Sequence, residues 1–242
     1  MTSATTALVT GANKGIGLAA VRELAGLGWT VLLGARDEGR GIDSVLELTD
    51  EGLDVRFVHL DVTDPQSVEV AAKWVDFQFG HLDVLVNNAG INLDQQRPPS
   101  QTTAELVRDT SEVNVVGLVR VTHALLPLLR RSPAPRIVNV SSSGGSITIM
   151  GSDQAEMLGA SQLAYGSSKA AVNAITAMYA RELRTAGFKV NAVNPGWVAT
   201  DLNGHSGPKS PADAAKLIAA MATLGDHGPT GLLHEDTGVM PW

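Results

Sequence analysis

The sequence predicts an α/β fold: one domain built on a doubly wound parallel sheet. Three observations carry this. The chain is 242 residues long, enough for one large domain with a substantial core. Short apolar runs recur without the strict alternation of a half-solvated strand, as strands buried on both faces require. Each of the first six runs is followed by a stretch with helical spacing, the pattern of βαβ units with helices on both faces of the sheet.

In chain order, a strand over residues 7–10 leads to a helix beginning near Gly15, and a strand over 30–35 to a helix near Glu38. Residues 55–60 precede a helix near Pro65, and 84–87 precede one near Thr103. Residues 136–141 precede a helix near Leu163, 190–193 one near Ser210, and 231–233 form the last strand. Three irregular stretches interrupt the alternation: 92–101 with Pro98-Pro99, the Ser- and Gly-rich 143–162, and 202–209 around Gly204 and Gly207. Ligands bind beyond the carboxyl ends of strands in open α/β sheets, so these loops are candidate pocket walls. No repeat, charge block or linker divides residues 1–242, which read as a single domain.

Composition narrows the function. With 44% hydrophobic and 18% charged residues, the chain is too apolar for disorder. The balance of 18 Lys and Arg against 25 Asp and Glu gives a charge of -7, with no basic field for a nucleic-acid partner. The absence of cysteine excludes disulfides and fits a reducing compartment. No basic residue precedes the short apolar start, and no run of about 18 uninterrupted apolar residues follows, so a cytoplasmic protein with no membrane partner is expected. His59, His81, His123, His205, His227 and His234 show no pair at a metal-binding helical spacing, and no metal is expected.

After the first strand, Thr10-Gly11-Ala12-Asn13-Lys14-Gly15-Ile16-Gly17 runs into a helix. Glycines at 11, 15 and 17 permit a tight turn, close backbone approach to a diphosphate and close helix packing, with the helix amino end facing the anion. Tyr165 and Lys169 lie four apart in a helical segment and project from one face. A neighbouring ammonium would favour the phenolate form of such a tyrosine. Upstream, Ile137-Val138-Asn139-Val140-Ser141-Ser142 reads as a strand ending in serines.

The Thr-Gly-x-x-x-Gly-x-Gly turn resembles that of the short-chain dehydrogenases/reductases, a family with a Rossmann fold. Further matches follow in the family's order: Asp61-Val62, Asn87-Asn88-Ala89-Gly90, Asn114, Ser142, Tyr165-Gly166-Ser167-Ser168-Lys169 and Pro195-Gly196. The resemblance implies a cofactor site of Gly11, Asn13, Lys14, Gly15, Ile16, Gly17, Arg36, Asp61, Val62, Asn88, Ala89, Gly90, Tyr165, Lys169, Pro195, Gly196, Val198 and Thr200. In it Asp61 and Val62 border the adenine, and 195–200 contact the nicotinamide side. The family's reacting group falls on Asn114, Ser142, Tyr165 and Lys169. Tyr165 is then the general acid/base, Ser142 a donor to the substrate oxygen, Lys169 a ligand of the nicotinamide ribose and Asn114 the support of a water in the proton relay. Ser141 is the near alternative to Ser142, and Asn114 also suits local helix hydrogen bonding or a kink.

The implied activity is reduction of a ketone or aldehyde by NADPH, and the family places the cofactor choice at the end of the second strand. NAD-preferring members carry an acid where this chain has Ala35, whereas NADP-preferring members follow it with a base, as Arg36 does. Lys14 adds a second cation, and Asp37 also suits the cap of the next helix. Taken alone, Lys14 and Arg36 would read as solvated loop charges.

Ser142 and Tyr165 lie 23 positions apart, more than is usual in the family, so 143–162 reads as an insertion. A longer insertion there characterises the mammalian carbonyl reductases, which this chain also resembles at Asn13-Lys14-Gly15, Ala35-Arg36-Asp37 and Pro195-Gly196-Trp197-Val198-Ala199-Thr200-Asp201. Met150, Met157, Leu158 and Trp197 would give an apolar wall to a small-carbonyl site or pack beneath the loop, and about 201–209 would form a substrate lid. A ketoacyl-thioester reductase uses the same four groups but needs a basic docking patch, and the candidate loops offer mainly Arg97 and Lys209. A non-catalytic nucleotide-binding protein is the remaining reading. The oligomeric state is left open.

Overall fold

A computed structural model of the chain describes residues 5–95, 97–153, 155 and 162–242. Strands β1 (Thr6–Thr10), β2 (Thr30–Ala35), β3 (Val55–His59), β4 (Val84–Asn87), β5 (Arg136–Val140), β6 (Lys189–Val193), β7 (Leu233–Glu235) and β8 (Gly238–Met240) form one sheet. Its order is β3-β2-β1-β4-β5-β6-β7-β8, parallel except for β8, which returns antiparallel to β7. The helices are α1 (Gly15–Gly26), α2 (Glu38–Asp50), α3 (Pro65–Phe79), α4 (Ala104–Ser111), α5 (Leu118–Leu129), α6 (Ile147–Met150), α7 (Leu163–Leu183) and α8 (Pro211–Ala222).

The two-residue period of the strands splits the core in two. Ala7, Val9, Val31, Leu33, Val84 and Val86 face α1, α2 and α8, packing on Val21, Leu24, Leu48 and Ile218. Leu8, Leu32, Leu85, Ile137 and Val190 point the other way, onto Val75 of α3, Leu125 of α5 and Leu183 of α7. Each fully buried aliphatic side chain contributes about 1.5–3 kcal/mol, so polar replacements on either face would unseat a whole layer. The doubly wound single-domain expectation is borne out.

β1 lies between β2 and β4, so the chain reverses direction across the sheet there and leaves a crevice at the strand carboxyl ends. Asp37 caps α2 by accepting from the Arg40 N–H at 3.0 Å, the local role its position allows. The helix expected near Thr103 begins at Ala104 with Thr103 as cap, and continues into α5 through a π-helical turn over Glu112–Gly117. By length and apolarity Ala104–Leu129 could cross a membrane. Val121, Leu125, Leu128 and Leu129 are instead buried in the second core layer.

Two strand expectations need correction. The last parallel strand is Leu233–Glu235 rather than 231–233, because Gly231 has a φ of +78° and belongs to the turn before it. β8 has no counterpart among the expected strands.

Candidate active site

The glycine turn lies at the head of a groove of about 1230 Å³ along the carboxyl ends of the strands. Single small-molecule sites occupy about 300–1,000 Å³, so this one has room for a dinucleotide and a second ligand. Its floor at the turn is backbone. Gly11 and Gly15 have φ of +61° and +56°. A side chain at Gly17 would begin 2.5 Å from Asn88 Nδ2 and 2.7 Å from the Gly11 carbonyl oxygen. Asn88 donates to the carbonyls of Thr10 and Gly11 at 2.9 and 3.1 Å, which holds the turn open. No side chain caps α1, and its first turn carries no acid, so its amino end suits an anion. The residues therefore fit a nicotinamide dinucleotide.

Every residue expected at the cofactor site lines this groove. Arg36 is exposed at the end of β2. Near it, burial works to raise the Asp61 carboxyl, but hydrogen bonds from Thr63 and the charges of Arg36 and His59 outweigh it and leave the group low. Lys14 differs from the expectation of a cation awaiting phosphate, because it is paired with Asp201 at 2.7 Å, both ends being exposed. Arg36 is left as the cation beside β2 without such an ion pair among the described residues.

Of the reacting set, Ser142, Tyr165 and Lys169 meet in the groove. Tyr165 and Lys169 rise from one face of α7, with Lys169 Nζ 5.5 Å from the phenol ring centroid. The Ser142 hydroxyl lies beside the Tyr165 phenol, lowering its pKa, and accepts from the Gly144 N–H at 3.1 Å. Ser141 is turned away: its hydroxyl donates to Asn173 Oδ1 at 2.6 Å and is buried. Asn114, in the π-helical turn, lies behind the groove wall at 2% exposure. Its amide donates to the Ile91 carbonyl and the Ser168 hydroxyl, both at 2.9 Å, and its Oδ1 accepts from the Ile91 N–H at 2.8 Å. The π turn and the side-chain bonding together realise the local role that asparagine also suits. A side chain at Gly90 would begin 3.4 Å from Asn114 Oδ1 and 3.6 Å from Lys169 Nζ, so glycine leaves space between the two.

Burial governs the titration of this set. It pushes the Tyr165 phenol up to about 12, with the Ser142 hydroxyl pulling only partly the other way. In the protein without a cationic nicotinamide, desolvation outweighs what the neighbouring side chains offer the anion. Burial also pushes the Lys169 ammonium down to about 8, while its Nζ donates to the Val140 carbonyl at 2.8 Å.

For Lys169 the folded pKa lies below the unfolded one, so the unfolded chain binds more protons between about 8 and 10.5. The buried charge therefore opposes folding below pH 8, and the penalty fades as pH rises through that window. Lys169→Met is expected to raise Tm at pH 7 by roughly 2–6 °C, net of the lost bond to Val140, and to lose that advantage by about pH 10. Paired thermal melts at the two pH values check this; a lower Tm than the parent at pH 7 would contradict it.

Of the apolar wall, Met150 and Trp197 line the groove, with Trp197 57% exposed. Met157 and Leu158 lie outside the described residues. Among the described residues no cluster of His, Asp and Glu could hold a metal ion. Two supporting groups escape a reading of the sequence. Asn173, one helical turn beyond Lys169, donates to the Gly145 carbonyl at 3.0 Å and so joins α7 to the loop after β5. Asp94, in the loop after β4, reaches the amino end of α7. The i+4 spacing to Lys169 was a usable signal for Asn173; nothing local marks Asp94.

The family model described as short chain dehydrogenase matches residues 5–211. Carbonyl reductase [NADPH] 1 of Sus scrofa is 38% identical, covering 98% of this chain and 93% of the relative. (-)-Isopiperitenone reductase of Mentha piperita is 35% identical, covering 93% and 94%. The alignment with the pig enzyme spans 275 positions, so that relative carries segments this chain lacks. Among solved structures, NADPH-bound carbonyl reductase from chicken fatty liver superposes with a TM-score of 0.87 at 28% identity over 99% of both chains. Salutaridine reductase from Papaver somniferum gives 0.83 at 30% identity over 95% of this chain and 99% of that one. With a turn, a groove and a Ser-Tyr-Lys floor in the order the motifs require, the chain belongs to the short-chain dehydrogenase family and stands close to its carbonyl reductase-like members.

Proposed function

We propose that the protein reduces a ketone or aldehyde to an alcohol with NADPH, using Tyr165 as the proton donor. The observation that carries this reading is the convergence of Ser142 and Lys169 on the Tyr165 phenol at the floor of the groove that the glycine turn heads. NADPH, when bound, supplies the hydride that reduces the carbonyl carbon. The Tyr165 hydroxyl donates its proton to the carbonyl oxygen, and the Ser142 hydroxyl stabilises the charge that grows there. A phenol held near 12 is protonated at neutral pH, as the reductive direction needs. Lys169 keeps a positive charge beside the phenol below pH 8, and the space at Gly90 between Lys169 and Asn114 suits a water returning the proton.

The substrate is a small apolar carbonyl compound, for which Met150 and the exposed Trp197 provide surface. Of the two cations available to dock an acyl carrier, Lys209 is held by Asp236 at 2.5 Å, which weakens the thioester alternative. Turnover of free aromatic and alicyclic ketones, measured beside ketoacyl thioesters, tests this; a strong preference for the thioesters would reverse it.

In the same reading the chain is a single domain, residues 143–162 are an insertion beside the pocket, and 201–209 form a lid. Lys14 and His205 hold Asp201 from either side, at 2.7 and 2.8 Å, and the Trp197 indole donates to Ser206 at 3.2 Å. Saturating NADPH is expected to slow amide exchange across 201–209 by tenfold or more; unchanged exchange would remove the lid from the account.

A further inference from the structure

The first turn of α7 is capped from a distance. Its own N-cap residue, Gln162, makes no side-chain cap bond. Instead Asp94 accepts from the N–H of Ala164 at 2.7 Å and of Tyr165 at 3.2 Å, the second and third residues of the helix. These are the donors an N-cap side chain normally satisfies. Asp94 stands 70 positions earlier in the chain, is 0% exposed and has no ion pair among the described residues. A serine at position 162 could cap the helix without burying a charge, so stability of the helix end alone does not account for this arrangement.

What the distant cap adds is a tie between elements. The loop that carries Asp94 also holds Ile91, whose N–H and carbonyl are both bonded to the Asn114 side chain. Asn114 in turn donates to Ser168, one turn along α7 from the capped end. Residues 91–94 are thereby pinned between the π-helical turn and the start of α7, and Tyr165 sits on the capped turn itself. We propose that Asp94 is a positioning residue: its buried carboxylate fixes the first turn of α7 and so sets the Tyr165 phenol against Ser142. This rests on the reading of Tyr165 as proton donor.

The test uses Asp94→Asn, which keeps the shape but only one acceptor, and Asp94→Ala, which keeps neither. The turnover number is normalised to NADPH-binding stoichiometry, so that unfolded protein is not counted. The expected result is a fall in kcat per site of about tenfold for Asn and about a hundredfold for Ala, the scale on which a misplaced reacting group acts. The Kd for NADPH should stay within about twofold. Turnover per site within twofold of the parent, or NADPH affinity falling in step with kcat, overturns the proposal. So does failure of Asp94→Asn to fold as an NADPH-binding protein, which would assign the carboxylate to stability instead. Absence of turnover in the parent is the separate failure of the reductase reading. Exchange of the Ala164 and Tyr165 amides, expected to quicken about tenfold in Asp94→Asn, then decides the cap without any turnover.

Discussion

Tyr165→Phe is expected to lower NADPH-driven carbonyl reduction by about a thousandfold while leaving the Kd for NADPH within about threefold. A positioned general acid contributes on the order of 10²–10⁴ in rate, and phenylalanine deletes the donor while keeping the ring. The ring packs under Lys169 and the hydroxyl lies beside Ser142, so the substitution removes the hydroxyl and its proton and little else. Steady-state turnover with a cofactor titration separates chemistry from binding. A variant keeping more than a tenth of the parent rate would take the proton-donor role away from Tyr165. A loss of rate accompanied by loss of NADPH binding would mean that the ring supports the groove rather than the reaction.

The second large effect is on cofactor choice. Arg36→Ala is expected to weaken NADPH binding by about 10–100-fold and to leave NADH binding within twofold, because a charge-assisted hydrogen bond contributes roughly 1.5–3 kcal/mol. Arg36 is exposed, so the loss should be near the lower figure at physiological salt and grow as salt is lowered. The Lys14–Asp201 pair sharpens the comparison. Asp201→Asn releases Lys14 and should tighten NADPH binding, whereas Lys14→Ala should cost less than Arg36→Ala because Lys14 must first leave its partner. Fluorescence titration with both cofactors measures all three. Equal losses of NADPH and NADH in Arg36→Ala would show a general role in binding and refute recognition of the 2′-phosphate.

The sheet was readable because its central parallel strands β1, β2, β4 and β5 are short, mostly apolar runs buried on both faces. β8 escaped because it is three residues long, antiparallel and open at the edge, with Gly238 and Val239 exposed, so burial imposes no apolar pattern on it. Most groove residues were readable because they follow the carboxyl end of a strand, and Tyr165 and Lys169 because they lie four apart on one helix. Their electrostatic state was not. The Tyr165 pKa depends on how much protein covers the ring, a property of packing between α7 and the loop after β5 that residue spacing does not carry. The partnership of Lys14 with Asp201 joins residues 187 positions apart, and the cap of Asp94 on α7 joins residues 70 apart. Such pairings become visible only once the sheet has brought those loops together.

The most direct test of the account is oxidation of NADPH, with NADH in parallel, by the parent chain across a panel of aromatic and alicyclic ketones, aldehydes, diketones and ketoacyl thioesters. Turnover of apolar free carbonyl compounds is expected, with NADPH at least tenfold more efficient than NADH. Tight NADPH binding with no oxidation on any substrate in the panel would contradict it, and would leave a nucleotide-binding protein in the form of a reductase.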